Sequence, residues 1–356
     1  MADVKPRRTT APKATVKDIA RTAGVSIATV SRVLNNPDLV AADKRRAVQR
    51  ALSRHDYIPN RTARAMVSQR SRAIGLIVPT LANPLFVPSI AAIEQELDRA
   101  GYALMINCHE RDPAREVAQA RTFIERGMDG LLITGSDHLP ELPALLARHR
   151  MPYVTQDIAL DTPMGPSIAL DSVGALNAAI DHLHALGHRR IAVFSGPIHD
   201  TPTVKDRFVS AIARIKHHGL PCPETWRVVT EDYSNHATRA AARRLLDCDE
   251  RPTAVALTGD ILGLGLTTEC RAHGLDVPHD LSIIGCGDTN MGEYVDPPLT
   301  TVRMPFVDMG RTATQHLLAL ISGERPPKLT VLPYELVVRQ SVTAPVKMKR
   351  PRAKQA

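Results

Sequence analysis

The stretch TVKDIARTAGVSIATVSRVLNNPDLVAADKRRAVQRALSRHDYIPN, Thr15 to Asn60, holds three short helical patterns with sharp breaks between them. Thr15 followed by Asp18 is a variant of the capping box, and Val16, Ile19, Ala20 and Ala23 recur at helical spacing. A first helix is therefore expected from about Val16 to Thr22, ending at Gly24, which tolerates the left-handed corner between two helices. Ser26 can cap a second helix whose Val30, Val33 and Leu34 face inward, while Ile27, Ala28, Thr29, Ser31 and Arg32 lie toward its outer side. Asn35 and Asn36 end it and Pro37 forbids its continuation. A third helix, roughly Ala42 to Arg54, buries Ala47, Val48, Ala51 and Leu52 and turns Lys44, Arg45, Arg46 and Arg50 to solvent. The pattern is a small all-α helix-turn-helix with a supporting third helix.

Such a segment taken alone also reads as a plain three-helix bundle with a solvated charged face. Charge separates the two readings. Residues 1–72 carry sixteen Lys and Arg against five Asp and no Glu, a balance of +11, whereas the whole chain is +8. The last twelve residues add +5, which leaves the middle of the chain at −8. A basic head on an acidic body is the footprint of nucleic-acid binding, because each neutralised phosphate releases a condensed counterion. One Trp among few aromatic residues argues against single-strand binding by base stacking. The chain, 356 residues long, has room for two or three domains with a sizeable core. It shows neither a secretory signal nor an apolar run near ~18 residues, so a cytoplasmic location is expected, with no membrane partner. Cys108, Cys222, Cys248, Cys270 and Cys286 are scattered, which suggests neither a disulfide framework nor a metal site.

TVKDIARTAGVSIATVSRVLNN, then YIPNRTARAM and SRAIGLIVP, together resemble the amino terminus of the lactose-repressor/galactose-repressor (LacI/GalR) family. The resemblance runs on through GHRRIAVFSGP, RPTAVALTGD, DVPHDLSIIGCGD and DPPLTTVRMP, covering about 15–343. It implies a sequence-specific transcriptional regulator, usually a repressor, acting as a homodimer on a pseudo-palindromic double-stranded operator. Ser31 and Thr29 would then reach phosphates, Ile27 and Ala28 base edges or a thymine methyl, and Arg32 a guanine. Thr15, Ser26, Asn35 and Tyr57 complete that DNA-facing set. Residues 1–14 form a basic arm, 15–60 the reader and 61–72 a hinge, where Asn60 can cap a short helix. Two turns of isolated helix are unstable in water. The resemblance implies that the hinge orders in the DNA minor groove, with Met66 as an apolar wedge and Arg61 and Arg64 beside it. A plain linker is the competing reading. Ala41, where a capping Ser or Thr is usual, points to a slightly less stable reader.

From residue 73 to about 344 the pattern becomes alternating strands and helices. Strands are expected at Ala73–Val78, Tyr102–Ile106, Gly130–Thr134, Tyr153–Thr155, Arg190–Phe194, Val228–Thr230, Ala254–Leu257 and Ser282–Gly285. Gly101, Gly127, Gly187, Gly219 and Gly274 stand where helices between them should stop. Parallel sheets with helices on both faces follow. By resemblance they form the two-lobed α/β fold of periplasmic binding proteins, lobe 1 about 73–166 plus 299–325 and lobe 2 about 167–298 plus 326–344. A restart of the pattern near Ser167–Asp171, after DTPMGP, sets the first of those boundaries. Residues 345–356 are a basic tail without a leucine heptad, so a dimer is expected rather than a tetramer.

Ligands of open parallel sheets bind beyond the carboxyl ends of the strands. Arg207, in TVKDRFVSAI, matches the family arginine that grips effector hydroxyls or a carboxylate, and Tyr233 an aromatic that stacks on the effector. Asn83 and Phe86 follow the first strand, Asp157 follows the fourth, and Asp260 and Asp288, after the seventh and eighth, complete the seven expected effector contacts. The chain departs from many sugar-binding relatives, with Gly259-Asp260 where Asn-Asp is common and Cys286-Gly287-Asp288 where Tyr-Asp-Asp is. Loss of a carboxylate at 287 with retention of an arginine favours an acidic effector, such as a sugar acid, over a neutral sugar. His182, His184 and His188 do not share one helix face, so no metal site is expected there. Neither the glycine-rich stretches nor any Ser motif matches a phosphate loop or a nucleophile elbow. No cofactor and no catalytic residue are assigned. An enzyme or a small-molecule-binding protein using the same two-lobed fold without specific DNA binding is the alternative.

Overall fold

A computed structural model of the chain describes residues 14–35, 37–57, 70–81, 84–158, 163–199, 202–289 and 291–345. It divides into two compact units, 1–71 and 72–356. In the first, α1 (Val16–Ala23), α2 (Ile27–Asn35) and α3 (Ala42–Arg54) close around Ile19, Ala20, Val30, Val33, Val48 and Ala51. The local causes are those in the sequence. The Thr15 hydroxyl and backbone N–H both donate to the Asp18 carboxylate, at 2.7 and 3.0 Å, and the Asp18 N–H donates back to Thr15 Oγ1. Gly24 stops α1 at φ 65°, and its N–H returns to the Ala20 and Arg21 carbonyls. The Ser26 hydroxyl accepts from the Thr29 N–H at 3.1 Å and so starts α2. Two details were not foreseen. Pro37–Leu39 forms a 3₁₀ turn, and the Thr22 hydroxyl meets His55 Nε2 at 2.7 Å, fastening α1 to the end of α3.

The second unit contains two six-stranded sheets. The first has the order β11-β5-β4-β3-β1-β2, with β1 (Ala73–Val78), β2 (Ala103–Cys108), β3 (Gly130–Thr134), β4 (Tyr153–Ile158), β5 (Ser167–Leu170) and β11 (Leu329–Leu332) all parallel. The second has the order β12-β10-β9-β8-β6-β7. Its β6 (Ile191–Ser195), β7 (Arg227–Val229), β8 (Ala254–Leu257), β9 (Ser282–Gly287) and β10 (Thr300–Arg303) run parallel, and only β12 (Glu335–Val337) runs antiparallel, on β10. The helices are α4 (Val87–Arg99), α5 (Pro113–Glu125), α6 (Glu141–Arg148), α7 (Ser172–Ala185), α8 (Pro202–His217), α9 (Asn235–Leu246), α10 (Ile261–Ala272), α11 (Met291–Tyr294) and α12 (Phe306–Ile321). Layers of helix lie on both faces of each sheet, so the central strands are buried along their whole length. Helices α4 and α12 approach closely enough that a Cβ on Gly310 would sit 2.4 Å from the Ser89 carbonyl oxygen.

The lobe boundaries differ from those expected. Ser167–Leu170 does not restart the pattern in the second lobe but pairs with β4 and β11 in the first sheet. Thr300–Arg303 belongs to the second sheet, not the first, and the returning chain leaves a strand in each sheet, β11 and then β12. The chain therefore crosses between lobes after residues 170, 303 and 332, each a few residues later than expected. These strands are three or four residues long, and their apolar letters suit either sheet. Sheet membership is decided by distant partners, which periodicity does not see.

Candidate functional site

In the first unit α2 presents its outer side to solvent. Ile27 is 47% exposed although it is a large β-branched side chain, and Ser26, Ala28, Ser31 and Arg32 are exposed beside it. Thr29 is half-buried, its hydroxyl 2.9 Å from that of Ser26. Behind this face Val30 and Val33 are buried in the core. Thr15 is occupied by its capping box, and half-buried Tyr57 packs against the core. The backbone of Asn35 ends α2. Asn60, Arg61, Arg64, Met66 and the hinge helix expected around them lie outside the described residues, as does Asn83.

In the second unit a cleft lies among the loops beyond the carboxyl ends of the strands of both sheets, where ligands of open parallel sheets bind. Phe86 lines it after β1, Asp157 from β4, Arg207 from the second turn of α8 and Tyr233 from the loop after β7. Four of the seven expected effector contacts therefore meet at one place. Asp157 is brought there by a bulge: the pairing of β4 with β5 slips between Gln156 and Ile158, and Asp157 adopts φ 55°. Burial lifts its carboxyl to about 6, against the pull of the Arg207 cation. The buried guanidinium of Arg207 is fixed by donating from Nη1 to the Thr258 carbonyl at 2.8 Å and from Nε to the Thr203 carbonyl at 3.4 Å. The Tyr233 ring lies against Gly196 so closely that a Cβ there would be 2.3 Å from Tyr233 Cε1.

Asp260 stands at the inner end of the cleft, with Arg207, Tyr233 and Gly259 around a smaller recess. Its buried carboxylate accepts from the Thr301 hydroxyl at 2.7 Å and the Thr289 N–H at 2.9 Å. Burial raises its pKa to about 6, aided by neighbouring Asp288 and opposed by those two hydrogen bonds. Gly285 makes this possible, since a Cβ on it would lie 2.1 Å from Asp260 Oδ1. Asp288 does not line the cleft. It accepts from Arg303 Nε at 2.7 Å and pairs with Arg339 at 2.8 Å, which makes it a brace between β9, β10 and the terminal segment. The charge argument from residue 287 also changes. A Cβ at Gly287 would be 3.6 Å from Asp260 Oδ2, so a carboxylate is retained behind that glycine. Arg111 and Arg207 share the cleft with Glu116, Asp137 and Asp157, so the described lining residues carry no cationic excess.

Residues 15–60 match the family model described as bacterial regulatory proteins, lacI family, and residues 180–342 match the periplasmic binding protein-like domain. The HTH-type transcriptional repressor CytR of Escherichia coli K12 is 32% identical over 93% of this chain and 97% of its own length. The chain belongs to the LacI family. Among solved structures of this family, the lac repressor dimer bound to operator and the anti-inducer ONPF superposes with a TM-score of 0.81 at 27% identity, over 94% of this chain and 100% of that one. The regulator CelR in complex with cellobiose is 30% identical over 92% of this chain and 99% of its own, with a TM-score of 0.66. This LacI-family chain is thus a DNA-binding transcriptional regulator with a helix-turn-helix and a periplasmic-binding-protein-like body. No helix among its described residues is long and apolar enough to cross a membrane.

Sequence reasoning missed half of the first lobe's side of the cleft. His109 and Arg111 follow β2, His138 follows β3, and Glu116 lies in the first turn of α5. The signal was available, because NCHERD and TGSDH are loops after parallel strands like those already considered. Their convergence was not, since it depends on β2 and β3 flanking β1. Glu110 and Arg111 also hold φ of 51° and 62°, strained values for side-chain-bearing residues.

Proposed function

We propose that this chain is a homodimeric, cytoplasmic repressor whose grip on a pseudo-palindromic operator is set by a carbohydrate or sugar acid bound in the cleft. The observation that carries this is the pairing, in one chain, of an exposed face on α2 of the helix-turn-helix with a cleft lined from both lobes. Arg32 reads a guanine, Ile27 and Ala28 touch base edges, and Ser31 and Thr29 fix the helix on phosphates. The effector bridges Arg207 and Tyr233 on the second lobe to Phe86 and Asp157 on the first. Bridging changes the lobe angle about the three crossings, and that change sets operator affinity. The lac repressor dimer on its operator and CelR with cellobiose support the same division of labour. The proposal contains no catalytic step and no cofactor. Selection from a random duplex library by the full-length protein tests it. Enrichment of two half-sites in dyad symmetry, bound at least ~10³-fold tighter than random DNA at moderate salt, is expected. Recovery of no preferred sequence overturns it.

A further inference from the structure

Three consecutive residues at the end of β9 reach three different parts of the second unit. Gly287 abuts the first lobe, since a Cβ on it would be 3.1 Å from Leu85 Cδ1. Thr289 donates its N–H to Asp260, at the inner end of the cleft. Between them the Asp288 carboxylate is held by two guanidinium groups: Oδ2 accepts from Arg303 Nε at 2.7 Å, and Oδ1 lies 2.8 Å from Arg339 Nη1. Arg303 closes β10, where the chain leaves for the first lobe, and its Nη1 donates to Glu335, its register partner at the start of β12, where the chain has returned. Arg339 is tied to the root of β10 as well, donating from Nη1 to the Leu299 carbonyl and from its backbone N–H to Thr300 Oγ1, both at 2.9 Å. Asp260 has its own hold on β10 through the Thr301 hydroxyl.

The backbone marks the same place. Asp288 adopts φ 55°, a left-handed conformation that a side-chain-bearing residue keeps only where its surroundings over-determine it. Its side chain is 8% exposed and faces two cations, so its loss would strand both, whereas Arg303 and Glu335, 45% and 67% exposed, form a solvated pair of little weight.

We propose that Gly287-Asp288-Thr289 is the junction through which the state of the cleft floor reaches the inter-lobe crossings, with Asp288 as its positioning residue. The proposal rests on the regulator reading above and gives it a route. A ligand that shifts Asp260 pulls on the Thr289 N–H and the Thr301 hydroxyl together. Because Arg303 and Arg339 fix Asp288, the segment cannot absorb that pull by turning, and the displacement passes to the end of β10. Without the charge on Asp288 the two arginines lose their shared anchor, and residues 287–289 move independently of the crossing.

The test measures the affinity of the full-length chain for a duplex that the wild type selects from a random library, in a cycle of Asp260→Asn, Arg303→Gln and their combination. The two changes should be non-additive by at least about threefold in Kd, and additive to within about 1.5-fold once Asp288→Asn is added. Asparagine keeps the size of the side chain and tolerates the left-handed backbone, so only the charge is lost. A purely structural role would shift all the affinities alike and leave the cycle as it was. Hydrogen exchange is the second readout: Asp288→Asn should speed exchange at least about tenfold over 300–306 and 333–338 and leave β8 unchanged. Glu335→Gln, which removes only the solvated pair, should stay within about twofold of the wild type in both assays. If Asp288→Asn fails to fold, Arg339→Lys, which takes away one of its two anchors, replaces it and should cut the non-additivity to below about twofold. An additive cycle in the presence of Asp288, or unaltered exchange at both crossings in Asp288→Asn, overturns the junction. Failure of the wild type to select any duplex removes the regulator reading instead, and the exchange data then decide the junction by themselves.

Discussion

Gly196→Ala isolates the aromatic wall of the cleft without touching a charge. Gly196 does not adopt a left-handed φ, so alanine is acceptable to the backbone and the perturbation is steric alone. The new Cβ would lie 2.3, 2.5 and 2.7 Å from Cε1, Cζ and the hydroxyl oxygen of Tyr233, whereas unstrained contacts start near 3.4 Å. The ring must retreat by about an ångström or more, and because the clashing atoms are its far end, it can do so by turning about χ1. Stability should fall by no more than about 1–3 kcal/mol, the range for an inserted methyl group. The effector loses a stacking partner worth about 0.5–1.5 kcal/mol, hence a roughly 2- to 12-fold weaker Kd. Calorimetry with the metabolite that most raises the melting temperature reads the loss. A double-mutant cycle with Tyr233→Ala should show the two changes to be non-additive, since both remove the same contact. An unchanged Kd in Gly196→Ala, or full additivity with Tyr233→Ala, would refute the placement of Tyr233 on the effector.

Three further outcomes are expected. Arg32→Ala should cost about 1–3 kcal/mol on the selected operator and flatten sequence preference at one base pair, measured by anisotropy on operator and random duplexes; equal losses on both would show that Arg32 holds phosphate instead. Ala41→Ser should stabilise the first unit by about 0.5–1 kcal/mol in denaturant titration, because Ala41 stands at the start of α3 with φ −53°, ψ 139° and no side-chain cap. Asp157→Asn should melt higher than the parent at pH 7.5 and equal to it only near pH 3. A carboxyl raised to about 6 by burial binds its proton more tightly folded than unfolded, so its ionisation destabilises the fold above about pH 6 and not below the ordinary value near 4. Partial exposure of Asp157 limits that gap to about 1–2 kcal/mol, and a gap that grows toward low pH would contradict the sign.

The first unit was legible almost residue by residue, because its signals are local. Capping box, Gly24, Ser26 and Pro37 each act within four residues of themselves. The strands with the longest apolar runs were legible too, and Ala73–Val78, Gly130–Thr134 and Ala254–Leu257 form where the letters place them. What failed was long-range. Ser167–Leu170 and Thr300–Arg303 were assigned to the wrong lobes, and Asp288 was given to the ligand when its neighbours Arg303 and Arg339 claim it. Glu116 and His138, 22 residues apart, share no motif and become one group through sheet order. Burial of Asp260 behind Gly285 and Gly287 likewise depends on three loops packing together.

Coupling between cleft and reader is the step on which the whole account depends, and linkage gives it a direct measurement. Operator Kd is determined with and without a saturating concentration of the metabolite that most stabilises the protein, and the metabolite's Kd with and without operator. The two ratios should be equal and at least fivefold, because a coupling free energy is reciprocal. An operator affinity that is the same in both conditions would contradict the account, however tightly the chain binds each partner alone.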